Sequence, residues 1–190
     1  MIIALEGIDN AGKTTLTELL TKEFSKSGKQ VTISKELTTD VGKLIKNTIK
    51  NGALTPVSKA FLFAADRQIR IEQLERKNCF DGVVIFDRYL HSAIVYREAE
   101  GLDGDWVKEV NKNIPNSDIA FYIDITPEES IERNTDSKFN IHYSKEHLNK
   151  VRNAYLKYVE QGELVKIDGM KPLEDICREI IYILEKRGCL

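Results

Sequence analysis

Cysteine is scarce in this chain of 190 residues, and its three copies, Cys79, Cys177 and Cys189, are odd in number and far apart. Such spacing excludes a disulfide framework and matches no zinc motif. It reads as reduced thiols in a cytoplasmic protein. Long apolar runs are missing as well: the opening "MIIAL" is broken by Glu6, too short for the apolar core of a secretion signal or for a membrane span. No membrane partner is expected. Net charge is small, 28 Lys and Arg against 30 Asp and Glu, so the chain lacks the basic field with which a general nucleic-acid binder displaces counterions. No nucleic-acid partner is expected either. Proline occurs only four times and no repeat or low-complexity linker divides the chain. With domains running to roughly 100–200 residues, one domain over 1–190 is the expectation.

What is present is alternation. Short apolar runs at 2–5 ("IIAL"), 83–86 ("VVIF"), 119–125 ("IAFYIDI") and 164–167 ("LVKI") read as buried strands, and the half-polar "VTIS" at 31–34 as an edge strand. Between them the spacing predicts helices over 13–27, 41–50, 56–78, 90–99, 103–113, 127–134, 144–161 and 171–187. Pro127 and Pro172 fall where first-turn prolines are expected. The pattern predicts an α/β fold of three α/β/α layers around a five-stranded parallel sheet. The polar, aperiodic stretch "NTDSKFNIHY" at 134–143 reads as a short lid.

The segment "GIDNAGKTT" at 7–15 carries the chemistry. Gly7, Gly12, Lys13 and Thr14 match G-x-x-x-x-G-K-[ST], and they lie between an apolar strand and an amphipathic helix, as a phosphate loop requires. The glycines let backbone N–H groups converge on an anion, with Asn10 and Ala11 between them. Lys13 adds a point charge, and the Thr14 hydroxyl is placed for Mg²⁺. Thr15 has helix packing as its simpler reading. The buried run "VVIF" delivers Asp87 at its C-terminal end, either as an acid for the same metal or as a cap on the next helix. Arg88 beside it is a misfit at a helix start, which favours a phosphate ligand. On the helix over 56–78, Phe63, Arg67 and Arg70 share a stripe at i, i+4 and i+7. They read either as a base-stacking ring with two anion forks or as core plus solvated surface. A guanine-reading N-K-x-D element is lacking, since "NKNI" at 111–114 has no acid.

"LEGIDNAGKTT" (5–15), "LFAADR" (62–67), "DRYLHSAIVY" (87–96) and "IDITPEESIER" (123–133), in that order and spread over nearly the whole chain, resemble the thymidylate kinase family of nucleoside monophosphate kinases. The resemblance implies a homodimer that moves the γ-phosphoryl group of ATP to dTMP with Mg²⁺. It implies that Asp9 touches the acceptor sugar, that Phe63 stacks on thymine with Arg67 at its carbonyl edge, and that Arg88 meets the acceptor phosphate. Ser92, Tyr96 and Tyr143 fall on the acceptor side, with Tyr96 crowding a ribose 2′-hydroxyl, and Arg133 lies over adenine. Two departures stand out. Where the family has R-E-P after the second strand, this chain has "KEL" at 35–37, leaving Lys35 as the stand-in, and the stretch 134–143 has no arginine. Lys138 or Arg133 is then the candidate to neutralise the transferring group. A kinase of dUMP or another nucleotide, and a regulatory nucleotide-binding protein, are the competing readings.

Overall fold

The computed structural model describes residues 1–50, 52, 54–133 and 143–189. Most of the expected lid, with Lys138 and His142, lies outside the described residues. Five strands form one parallel sheet: β1 (Ile2–Glu6), β2 (Val31–Lys35), β3 (Val83–Asp87), β4 (Ile119–Asp124) and β5 (Val165–Asp168). Their order is β2-β3-β1-β4-β5. Among the described residues eight α-helices flank the sheet: α1 (Lys13–Lys26), α2 (Asp40–Lys50), α3 (Pro56–Arg76), α4 (Leu90–Ala99), α5 (Gly104–Val110), α6 (Pro127–Glu132), α7 (Lys145–Glu160) and α8 (Leu173–Lys186).

Burial follows the order. β3 and β4 are buried along their whole length, which is why their sequences run apolar without alternation. β2, at the edge, keeps only Ser34 buried. Each fully buried Leu, Ile or Phe in the three inner strands contributes about 1.5–3 kcal/mol of transfer free energy. Parallel connections are right-handed. The chain moves toward one edge in passing from β1 to β2 and toward the other in every later crossover, so α1 lies on the opposite face from α3, α4, α5 and α7. α8 returns to pack on α1.

Helix starts are set by side chains that accept an otherwise unpaired N–H, from Thr55 to Ser58, Asp103 to Trp106, Thr126 to Glu129 and Ser144 to His147. Pro127 occupies the first turn of α6 as expected, whereas Pro172 precedes α8 as its cap residue. α5 stops at Val110, short of the predicted 113. There Asn111 folds its amide back to the Val107 carbonyl at 2.8 Å, an alternative to another helical turn.

Candidate active site

The C-terminal ends of β1 and β3 are neighbours in the sheet, yet α1 and α4, which follow them, leave toward opposite faces. Ligands of open α/β sheets bind in the crevice that such a divergence opens. Here it holds a cavity of about 660 Å³, lined by the loop 9–15, the segment after β2, the ends of β3 and α4, and side chains from α3 and the region after α6.

The phosphate loop is shaped by backbone that ordinary residues avoid. Gly7 has φ 149° and Gly12 φ 83°, and a Cβ on Gly7 would lie 2.7 Å from the Ile123 carbonyl oxygen of β4. Asn10 also has positive φ, 59°. Its amide donates to the Ser130 carbonyl at 2.9 Å, while the Ser130 hydroxyl donates to the Asp9 carbonyl at 2.7 Å, so α6 braces the loop from behind. Lys13 is buried and donates to the Gly7 and Ile8 carbonyls at 3.1 and 2.7 Å. Burial, with the nearby positive charge of Arg88, pulls its pKa down to about 7, against the pull of Asp87, Asp9 and Glu6. A polyphosphate at this site would restore the charge. Thr15 is exposed on the cavity wall beside Thr14. The packing reading of Thr15 does not hold, because α1 buries Leu16 and Thr17 instead.

Asp87 does not cap α4, whose cap residue is Tyr89. Its carboxylate takes a 2.6 Å hydrogen bond from the Thr14 hydroxyl. Register along β2 and β3 sets Lys35 beside Asp87, and the ammonium reaches Thr14 Oγ1 at 3.1 Å and Asp87 Oδ2 at 3.7 Å. Lys35 thus lies on the Thr14–Asp87 side. Arg88 adopts φ 71°, an uncommon conformation for any residue other than glycine. Its guanidinium ties the two strand ends together, donating to the Gly7 carbonyl at 2.9 Å and to the Asp9 carboxylate at 2.5 Å.

Beneath this turn sits Glu6, fully buried, which the sequence reading passed over. Its carboxylate accepts from the Tyr89 backbone, from Ser92 Oγ and from Tyr155 OH. Ser92 lines the cavity, but its hydroxyl is committed to Glu6.

The same cavity is lined by Phe63, Tyr96, Arg97 and Tyr143. Tyr96 lies under the Arg88 guanidinium, 5.1 Å from its carbon, and 5.5 Å from the Tyr143 ring. Tyr143 in turn stacks on His147 at 4.4 Å. Burial pushes the Tyr96 and Tyr143 phenols above their usual pKa, so both are neutral.

The expected stripe of cations divides. Phe63 faces the cavity, whereas Arg67 and Arg70 do not line it. Arg67 is fully buried, donating to Asn111 at 2.7 Å and to Glu36 at 3.0 Å. Arg70 pairs with Asp66 at 3.2 Å and donates to Ser34. Neither is solvated surface, and Arg67 is held behind the cavity wall between Asn111 and the wall residue Glu36. Arg97 of α4 takes the place beside Phe63, its guanidinium carbon 5.4 Å from the ring centre. It was missed, although Ser92 and Tyr96, like Ala93 and Arg97, are helical i, i+4 pairs and all four line the cavity. Arg133 lines the cavity near the phosphate loop, pairing with Glu129 at 2.6 Å and donating to the Gly169 carbonyl.

The thymidylate kinase family model matches residues 5–180 of this chain. A probable thymidylate kinase of Sulfurisphaera tokodaii is 35% identical over 96% of this chain and 94% of its own. Probable thymidylate kinase 1 of Saccharolobus solfataricus and a probable thymidylate kinase of Thermococcus kodakarensis are each 36% identical over 97% of both chains. With the glycine loop, Lys13, Asp87 and Arg88 gathered around one crevice, the chain belongs to the thymidylate kinase family.

Proposed function

We propose that this chain transfers the γ-phosphoryl group of ATP to dTMP, giving dTDP and ADP. The family assignment carries phosphorylation of thymidylate. The observation that supports the geometry is one cavity lined both by Lys13 and the glycine loop and by Phe63, Tyr96 and Arg97, with Arg88 reaching from the Gly7 carbonyl to the Tyr96 ring.

The ATP phosphates lie along the loop from Gly7 to Thr15, with Asn10 and Ala11 among the backbone donors and Arg133 flanking the adenine side. Thr14 and Asp87 are hard oxygen ligands at hydrogen-bond separation, which fits Mg²⁺ shared with phosphate oxygens and water. Bound there, Mg²⁺ neutralises charge on the β- and γ-phosphates. An oxygen of the dTMP phosphate attacks the γ-phosphorus, and the bond from that phosphorus to the β–γ bridging oxygen breaks. Little covalent help is needed, so the protein's part is alignment and charge. Lys13 follows the γ-phosphoryl group, Arg88 holds the acceptor phosphate, Asp9 receives the sugar hydroxyl, and Phe63 stacks on the base.

We place the working protein in the cytoplasm, as one domain per chain and as a homodimer. Among the described residues no helix is long and apolar enough to cross a membrane. For the dimer, α3 and α5 present Phe61 and Trp106, 55% and 36% exposed, edge to face at 5.5 Å, with Val57 one turn away on α3. Sedimentation of the Phe61→Glu protein tests that face.

Nucleoside diphosphate production from ATP and Mg²⁺ with dTMP, dUMP, UMP, dCMP, dAMP or dGMP, against a water-only control, tests the function. Preferred transfer to dTMP is expected. Hydrolysis of ATP with no transfer to any of them overturns the reading.

A further inference from the structure

Glu6 ends β1 wholly shut from solvent and does not line the cavity. A carboxylate so placed is costly unless its oxygens are hydrogen-bonded. Both are: Oε1 accepts from the Tyr89 backbone N–H at 3.0 Å, and Oε2 accepts from the Ser92 and Tyr155 hydroxyls. These three donors come from the start of α4 and from α7, so the carboxylate gathers groups that the sequence keeps far apart.

Two of the three bear on Arg88. Tyr89 is its neighbour in the chain, and the Arg88 N–H itself donates to the Leu5 carbonyl at 3.0 Å. The two peptide planes that flank the Arg88 Cα are thus held by successive residues of β1. That fixes φ at 71°, a conformation that persists in a residue with a side chain only where its surroundings impose it. Ser92 acts at the other end of the side chain. A hydroxyl has one hydrogen and two lone pairs, and because Ser92 gives its hydrogen to Glu6, a lone pair is left toward Arg88 Nη1, 3.5 Å away. The same Nη1 donates to the Gly7 carbonyl, next to Glu6 in β1's continuation.

We propose that Glu6 is a positioning residue for phosphoryl transfer: through the Tyr89 N–H and the Ser92 hydroxyl it holds Arg88, backbone and guanidinium together, in the arrangement that meets the acceptor phosphate. The proposal rests on the reading of Arg88 as the ligand of that phosphate and adds the buried group that aims it. Tyr155 shares the carboxylate but donates to it without touching Arg88, which separates aiming from mere bracing of the core.

The test compares wild type with Glu6→Gln, Ser92→Ala, Tyr155→Phe, Arg88→Met and the Glu6→Gln/Arg88→Met double variant. Glutamine keeps the size, but in either orientation its NH₂ faces a group that donates to Glu6, so Ser92 or the Tyr89 peptide must turn. For each protein kcat and KM for dTMP are measured below the thermal unfolding midpoint, and the Kd of dTMP and of ATP are measured separately by calorimetry. Misplacing an orienting group by about 1 Å costs on the order of 10²-fold. Glu6→Gln should therefore lower kcat by about 10²-fold and weaken dTMP about tenfold, with ATP affinity unchanged. Ser92→Ala, losing one arm of two, should weaken dTMP about fivefold. Tyr155→Phe should lose stability and keep kcat. On the Arg88→Met background, Glu6→Gln should cost dTMP nothing further, as expected when one residue acts through the other.

Wild-type kcat and KM in Glu6→Gln would make Glu6 a brace alone and overturn the proposal. An equal loss of kcat in Tyr155→Phe, a loss of ATP affinity in place of dTMP affinity, or full additivity with Arg88→Met does the same. Should Glu6→Gln not fold, unaltered dTMP affinity in Ser92→Ala overturns it. Should wild type bind dTMP yet transfer nothing to it, the transferase reading fails, and the dTMP affinities decide for or against Glu6. Binding of no dTMP overturns both.

Discussion

Thr14 Oγ1 donates a 2.6 Å hydrogen bond to Asp87 Oδ2 across 73 residues of sequence, joining the end of the phosphate loop to the end of β3. The bond ties together two hard oxygen donors on the cavity wall. A metal held there contributes several kcal/mol of charge stabilisation, and each 1.36 kcal/mol is tenfold in rate. Asp87→Asn should therefore lower kcat by about 10²-fold or more. It should also weaken Mn²⁺ binding in the presence of ADP, followed by the paramagnetic signal of free Mn²⁺, while the unfolding midpoint stays near that of wild type. Unaltered Mn²⁺ affinity would remove Asp87 from the metal's shell.

Lys35 faces the same two oxygens. Its ammonium competes for them with a divalent cation, but its side chain is 55% exposed and solvent screens the contact. Exposed pairs of this kind are worth about 0.2–1 kcal/mol. Lys35→Met should thus tighten Mn²⁺ binding by no more than about fivefold, read from the same titration. Weaker binding in the variant would mean that Lys35 supports the metal site instead of opposing it.

Behind the cavity wall, Asp66 organises the segment after β2. Fully buried, it accepts from the Leu37 N–H at 3.0 Å and from Thr39 Oγ1 at 2.7 Å, and it pairs with Arg70. Leu37 is held at φ 62°, a conformation that leucine rarely adopts. Asp66→Ala would strand Arg70 and release that turn. Breaking one side of a buried pair costs about 3–5 kcal/mol, and chemical denaturation should show a loss of that order. A change below about 1 kcal/mol, the centre of the range for point substitutions in general, would refute this account.

These residues also show what the sequence can and cannot disclose. The loop from Gly7 to Thr15 and the acid at the end of "VVIF" are legible because their meaning is local: a strand, a tight turn and a helix fix where each side chain emerges. Arg67 is not legible in that way. Its partners Glu36 and Asn111 are 31 and 44 residues distant, and only their approach decides whether its guanidinium faces the cavity or the interior. Arg97 illustrates the converse, since an arginine near the end of a helix reads as surface until the fold turns that face of α4 toward Phe63. Lys35 was read as the stand-in for a missing arginine, yet the register of β2 on β3 aims it at Asp87.

The last prediction separates two kinds of glycine. Gly7 and Gly28 both have positive φ, 149° and 74°, and alanine is strained at either. Around Gly28 nothing lies within 4 Å of an added Cβ, whereas at Gly7 that atom would stand 2.7 Å from the Ile123 carbonyl oxygen. Gly28→Ala should lose about 1–2 kcal/mol of stability and bind ATP as wild type does. Gly7→Ala must either push β1 away from β4 or turn its own peptide, and either movement takes the loop's N–H groups off the phosphates. It should lose at least as much stability and, in addition, about tenfold or more in ATP affinity, since each 1.4 kcal/mol of lost contact is tenfold. Calorimetric titration of the two variants decides. Equal affinities for ATP would show that the close approach of Gly7 to Ile123 shapes the sheet alone and not the phosphate loop.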